Sequence, residues 1–173
     1  MKVLWLQSGG CGGCTQSLLC AEPRPLFDEL HDAGIEFLWH PGLSLESGEE
    51  ALAILEDCAE GRLAFDALCV EGAMLRGPNG SGRFHLLAGS GRPLTEWVER
   101  LARRTRWVFA IGSCTAYGGF SANRSAMGSG RSEWRSDRSM SSRWSAPRLA
   151  ASTGRAFWQR WRRCRPTPRR TRP

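Results

Sequence analysis

Four short apolar runs separated by helix-like stretches constrain the fold of this chain more than any other feature. Val3–Leu6, Ile35–Trp39, Ala67–Val70 and Trp107–Ile111 read as strands, and the first, with no polar residue, suits a strand buried on both faces. Between them the spacing predicts helices. Thr15–Cys20 is short and is interrupted by Pro23 and Pro25. Leu26–Ala33 resumes helical spacing and ends at Gly34. Glu49–Glu60 carries Leu52, Leu55 and Ala59 on one face. Pro93–Arg104 starts with proline in its first turn and sets Trp97 and Leu101 one turn apart. Strands alternating with helices predict an open parallel sheet flanked by helices over residues 1–120.

That topology gives the cysteines their meaning. In an open parallel sheet the carboxyl ends of the strands gather at one edge, where ligands bind. Gly9-Gly10-Cys11-Gly12-Gly13-Cys14-Thr15 follows the first strand, and Gly112-Ser113-Cys114-Thr115-Ala116-Tyr117-Gly118-Gly119 follows the fourth. Cys11, Glu71 and Cys114 therefore belong on one edge. Thiolates bind soft metals and iron–sulfur clusters, and the glycines allow the backbone to approach an inorganic group closely.

Cys11-x-x-Cys14 alone leaves three chemistries open: half a zinc site, a thioredoxin-like redox pair, or cluster ligation. A structural zinc site needs a second close pair, which is missing, and redox pairs carry bulkier residues than Gly-Gly between their cysteines. Cluster or metal ligation is the better reading. Cys20, Cys58 and Cys69 read as packed core thiols, and His31, His40 and His85 have no metal-ligand spacing. Glu71 is either a solvated loop carboxylate or a group facing the site. The loop from Gly77 to Gly91 lacks the Lys-Ser/Thr ending of a phosphate-binding loop.

The net charge of +7 is misleading because it is unevenly distributed. Residues 1–120 hold ten basic and fifteen acidic side chains, whereas residues 121–173 hold fourteen arginines and two acids, Glu133 and Asp137. The acidic body argues against nucleic-acid binding. From Ser121 onward there is no Val or Ile, and Leu149 is the only Leu. Such a segment has too little apolar surface to offset chain entropy, so an irregular or disordered Arg/Ser-rich tail is expected over 121–173. No apolar run is long enough for a membrane span and no twin-arginine leader is visible, so a cytoplasmic protein is expected. Seven cysteines in such a chain favour metal or redox chemistry over disulfides.

Three stretches together resemble the small, electron-transfer subunit of nickel–iron hydrogenases. They are Leu4-Trp5-Leu6-Gln7-Ser8-Gly9-Gly10-Cys11-Gly12-Gly13-Cys14-Thr15-Gln16-Ser17-Leu18-Leu19, Val70-Glu71-Gly72, and Ile111-Gly112-Ser113-Cys114-Thr115-Ala116-Tyr117-Gly118-Gly119. Ser17-Leu18-Leu19-Cys20-Ala21-Glu22 is most similar to the regulatory, hydrogen-sensing branch. The resemblance implies a flavodoxin-like fold and a proximal [4Fe–4S] cluster on Cys11, Cys14 and Cys114. It also implies a partner large subunit carrying the nickel–iron centre and, in the sensing branch, a sensor histidine kinase.

The family's fourth proximal ligand lies in a Gly-Cys-Pro motif that is not recognisable here. Cys164, in Arg163-Cys164-Arg165-Pro166, lacks that context. The expectation is a domain truncated or frame-shifted near residue 121. Two rivals follow from the residues alone. One is a cluster-free binding protein whose basic tail contacts nucleic acid; the other is a small thiol redox protein. A non-functional fragment of the same family is a further reading.

Overall fold

The computed structural model describes residues 1–20, 23–75, 83–87, 89–117 and 149–150. The chain runs β1 (Lys2–Gln7), α1 (Gly13–Leu19), α2 (Leu26–Asp32), β2 (Glu36–Trp39), α3 (Gly48–Glu60), β3 (Ala67–Glu71), α4 (Leu94–Ala102), β4 (Trp107–Ile111), α5 (Ser113–Tyr117) and β5 (Leu149–Ala150). The strands form one sheet in the order β2-β1-β3-β4-β5, and every pairing is parallel. This is the open, helix-flanked parallel sheet expected from the sequence, with the flavodoxin-like strand order.

The pleat sorts the central strands into two cores. Leu4 and Leu6 of β1 and Leu68 and Val70 of β3 turn to one face, where they pack with Leu55 and Cys58 of α3 and Trp97 and Leu101 of α4. Val3, Trp5, Ala67 and Cys69 turn to the other, with Leu18 of α1 and Leu26 and Leu30 of α2. Strands covered on both faces explain why these runs show no polar alternation. α3 ends where Gly61 adopts a left-handed φ of 82°, with its amide donating to the Cys58 carbonyl.

Two results extend the sequence reading. α5, a short helix opening at the second cysteine motif, was not anticipated. Leu149–Ala150, inside the segment expected to be irregular, pairs with Phe109 and Ala110 as a fifth strand. Cys164, the rest of the segment after Tyr117, and residues 76–82 of the glycine-rich loop lie outside the described residues.

Candidate metal centre

The chain leaves β1 in one direction to form β2 and later returns past β1 to form β3. The strand order therefore reverses between β1 and β3, and such a point leaves a crevice at the carboxyl edge of the sheet. Both cysteine loops and Glu71 sit there.

The three loops are stitched together by backbone. The Ser8 amide donates to the Glu71 carbonyl at 2.7 Å, and Gly9 and Ala73 exchange amide–carbonyl bonds at 2.9 and 3.0 Å. The Gly72 amide donates to the Ile111 carbonyl at 3.0 Å. The Thr115 hydroxyl donates to the carbonyls of Ile111, at 2.8 Å, and Gly72, at 3.2 Å. Gly72, at φ 99°, lies so close to the first loop that an added Cβ would come within 2.9 Å of Gly10 N and Gly9 C.

Two sulfurs distant in sequence meet over Gly112. A Cβ at that glycine, whose φ is 104°, would lie 3.0 Å from Cys114 Sγ and 3.2 Å from Cys14 Sγ. A Cβ at Gly10 would lie 3.5 Å from Cys114 Sγ, and one at Gly13 would lie 3.1 Å from Cys11 Sγ. The glycines thus leave open the space that the thiols border. Burial, then the charge of Glu71, then Cys114 and Cys11 push the Cys14 thiol up to about 11. The three cysteines named from the sequence are therefore electrostatic neighbours. All six described cysteines are free.

This arrangement separates the chemistries left open by Cys11-x-x-Cys14. Cys14 itself is no activated nucleophile, because burial and the charge of Glu71 raise its thiol. No group of three His, Cys, Asp or Glu among the described residues is placed to hold a single metal ion. A polynuclear cluster attaches each thiolate to a different iron and so accepts a wider spacing. Three cysteines around a glycine-lined space fit such a cluster better than a zinc ion. Loading it must displace the Cys14 proton.

Glu71 was poised between two roles in the sequence, and the solvated one is excluded. It is the last residue of β3 and only 1% exposed. Its carboxylate accepts from the Trp5 indole N–H at 3.2 Å, from the Thr15 amide at 3.2 Å and from the Thr15 hydroxyl. His40, read as structural or exposed, is fully buried against Trp5 and Phe37. Gly42 N–H donates to its Nδ1 at 3.0 Å, which assigns the proton to Nε2, and Nε2 has no partner among the described residues. Burial pulls the His40 imidazole down to about 4, against the opposing charge of Glu71. Cys58 and Cys69 are buried as expected, but Cys20 is not a core thiol. It caps α1 at an exposed position, two residues beyond Leu18 and so off the Thr15–Leu18 stripe that α1 buries. Trp5, Thr15 and His40 were missed as site residues. The available signals were a tryptophan in an aliphatic strand and a threonine directly after Cys14.

The model of the family described as NADH ubiquinone oxidoreductase, 20 Kd subunit, matches residues 11–144. The quinone-reactive Ni/Fe-hydrogenase small chain of Wolinella succinogenes is 33% identical over 125 residues, covering 72% of this chain and 34% of that one. The hydrogenase-2 small chain of Escherichia coli is 30% identical over 120 residues, covering 69% and 31%. The H2-activated [NiFeSe]-hydrogenase structure from Dm. baculatum superposes with a TM-score of 0.64 at 30% identity, covering 86% of this chain and 55% of that one. The chain thus spans about a third of the length of these two curated relatives. The curated relatives named above are hydrogenase small chains, that of Wolinella succinogenes from a Ni/Fe-hydrogenase, and this chain belongs to the family of the NADH ubiquinone oxidoreductase 20 Kd subunit.

Proposed function

We propose that this chain is the electron-transfer part of a nickel–iron hydrogenase small subunit, with Cys11, Cys14 and Cys114 binding a proximal [4Fe–4S] cluster. The observation that carries the reading is the meeting of Cys14 and Cys114 over Gly112 at the sheet's switch point. Such a cluster supplies one-electron transfer between the hydrogen-splitting centre and later carriers. The chain's own residues hold and shield it. Gly10, Gly13 and Gly112 keep the space open, and the Glu71–Trp5–Thr15 bonds fix the first loop on β3. Hydrogen bonds to the sulfurs and burial tune the potential.

The same proposal gives the chain a large-subunit partner that holds the nickel–iron centre. Ser17–Cys20 and the neighbouring Ala21-Glu22 favour a cytoplasmic, hydrogen-sensing form reporting to a sensor histidine kinase. Among the described residues no helix is long and apolar enough to cross a membrane. A reading-frame change near residue 121 belongs to the proposal too. Translating the other two frames of the gene tests it, since one of them must restore an apolar strand ending in Gly-Cys-Pro.

The central test is iron and acid-labile sulfide per chain after anaerobic reconstitution, on the full chain and on Cys114→Ala. About four of each are expected for a [4Fe–4S] cluster, with loss of most of both in the variant. No iron in either protein would leave the ancestry intact and identify a disabled fragment. Equal iron in both would remove Cys114 from the site.

A further inference from the structure

Glu71 is more deeply buried than any cysteine of the site, and its surroundings are one-sided. Three donors, from Trp5 and Thr15, converge on its two oxygens, and among the described residues its carboxyl donates to no acceptor. An acceptor-only environment suits the ionised carboxylate. The ion pairs of Arg24, Arg62, Arg92 and Arg100 go to Asp32, Asp57, Glu96 and Glu60, so none of these cations neutralises it. The Trp5 ring that donates to it also packs against the buried His40, at 4.9 Å between ring centroids. Through the Ser8 amide on its carbonyl and through Gly72, which follows it, Glu71 also belongs to the backbone on which both cysteine loops rest.

We infer that Glu71 is a buried carboxylate fixed beside the cysteine loops by Trp5 and Thr15, whose charge lowers the reduction potential of the group the thiolates bind. This rests on the cluster reading for its redox half and on the chain alone for its electrostatic half. A negative charge beside a redox centre disfavours the extra electron, and the effect is larger where water is excluded. Glu71 is then a positioning and potential-setting residue. It needs no proton movement to act.

Two variants separate charge from packing. Glu71→Gln keeps the length of the side chain and removes the charge, although one of the donors is left facing an amide NH2. Glu71→Asp keeps the charge and withdraws it by one methylene. In reconstituted full-length protein, Glu71→Gln is expected to shift the oxidised-to-reduced ratio at fixed potential at least tenfold, a rise of 59 mV for one electron. Glu71→Asp is expected to stay near the starting protein. No shift in Glu71→Gln, or an equal shift in both variants, would overturn the charge argument.

The carboxyl 13C resonance of Glu71 in the iron-free, unsubstituted chain at neutral pH decides the electrostatic half without any cluster. An ionised position is expected, and a protonated one overturns the inference. If no protein takes up iron, the cluster reading fails together with the redox half. The carboxyl resonance still decides whether the buried anion exists.

Discussion

Replacing Gly72 by alanine is expected to destabilise the protein by about 2–6 kcal/mol and to abolish iron uptake. Two costs add at this position. A residue with a Cβ held at positive φ is strained by roughly 1–3 kcal/mol, and Gly72 sits at 99°. The new methyl would also lie 2.9 Å from Gly10 N and Gly9 C, which are backbone atoms that cannot swing aside. Overpacking of that kind costs about 1–3 kcal/mol. Relief requires the loop carrying Cys11 and Cys14 to move off β3, breaking the Gly9–Ala73 bonds.

Gly34→Ala is the matched control. Gly34 is also left-handed, at 63°, but has nothing within 4 Å of an added Cβ, so only the conformational cost applies. Urea unfolding of both variants, read alongside iron content, isolates the contact between loops. Equal destabilisation by the two substitutions would mean that the close approach does not form.

Acid is expected to remove about 3 kcal/mol of stability from the iron-free chain between pH 6.5 and 4 through His40. In the unfolded chain its imidazole titrates near ~6.5, whereas in the fold burial holds it down to about 4. Between those values the unfolded state binds the extra proton and the folded state does not. Stability is therefore full above pH 6.5 and falls with pH by up to about 1.4 kcal/mol per unit. The loss levels off once the folded imidazole also protonates.

His40→Phe keeps an aromatic ring against Trp5 and Phe37 and is expected to flatten this part of the profile. His85, also lowered by burial, contributes in the same direction and remains in the variant. Asp32, held low by the hydrogen bond and charge of Arg24, acts only below the usual carboxylate range. Urea midpoints at pH 7, 5.5 and 4.5 (conditions spanning ~6.5 to ~4) distinguish the two proteins, and parallel profiles would refute the assignment to His40.

The architecture was legible because burial on both sheet faces leaves a plain trace in β1 and β3, where Val3–Leu6 and Ala67–Val70 contain no charged residue. The approach of Cys14 to Cys114 was legible for the same reason. Once the strands are parallel, loops that follow them share an edge, and the glycines on either side of Cys11, Cys14 and Cys114 mark a crowded one. The support beneath these loops was harder to read. Trp5 looks like any apolar strand residue until its indole nitrogen is seen to face Glu71, 66 positions away. Whether a carboxylate at a strand end points into water or into the sheet depends on the tertiary neighbours of that position. His40 follows β2 with no ligand-like spacing, and only the packing of Trp5 and Phe37 over it shows that it is buried. The strand at Leu149–Ala150 had no sequence signal, because two residues are too few to establish a period.

The place of β1 in the middle of the sheet fixes an order of events during synthesis. Its first neighbour, β2, ends at Trp39, but its other neighbour, β3, is complete only at Glu71, and Cys114 comes a full strand later. Ribosomes add about 5–20 residues per second. The Cys11–Cys14 loop therefore emerges several seconds before Cys114 exists to face it, and waits without Glu71 or Gly72 to hold it for much of that time. An iron-delivery system acting on the nascent chain would meet two unsupported thiols. One acting after β4 has docked would meet all three. On the proposed cluster reading, the first loop offers only two of its three ligands until β4 and the residues after it have been made.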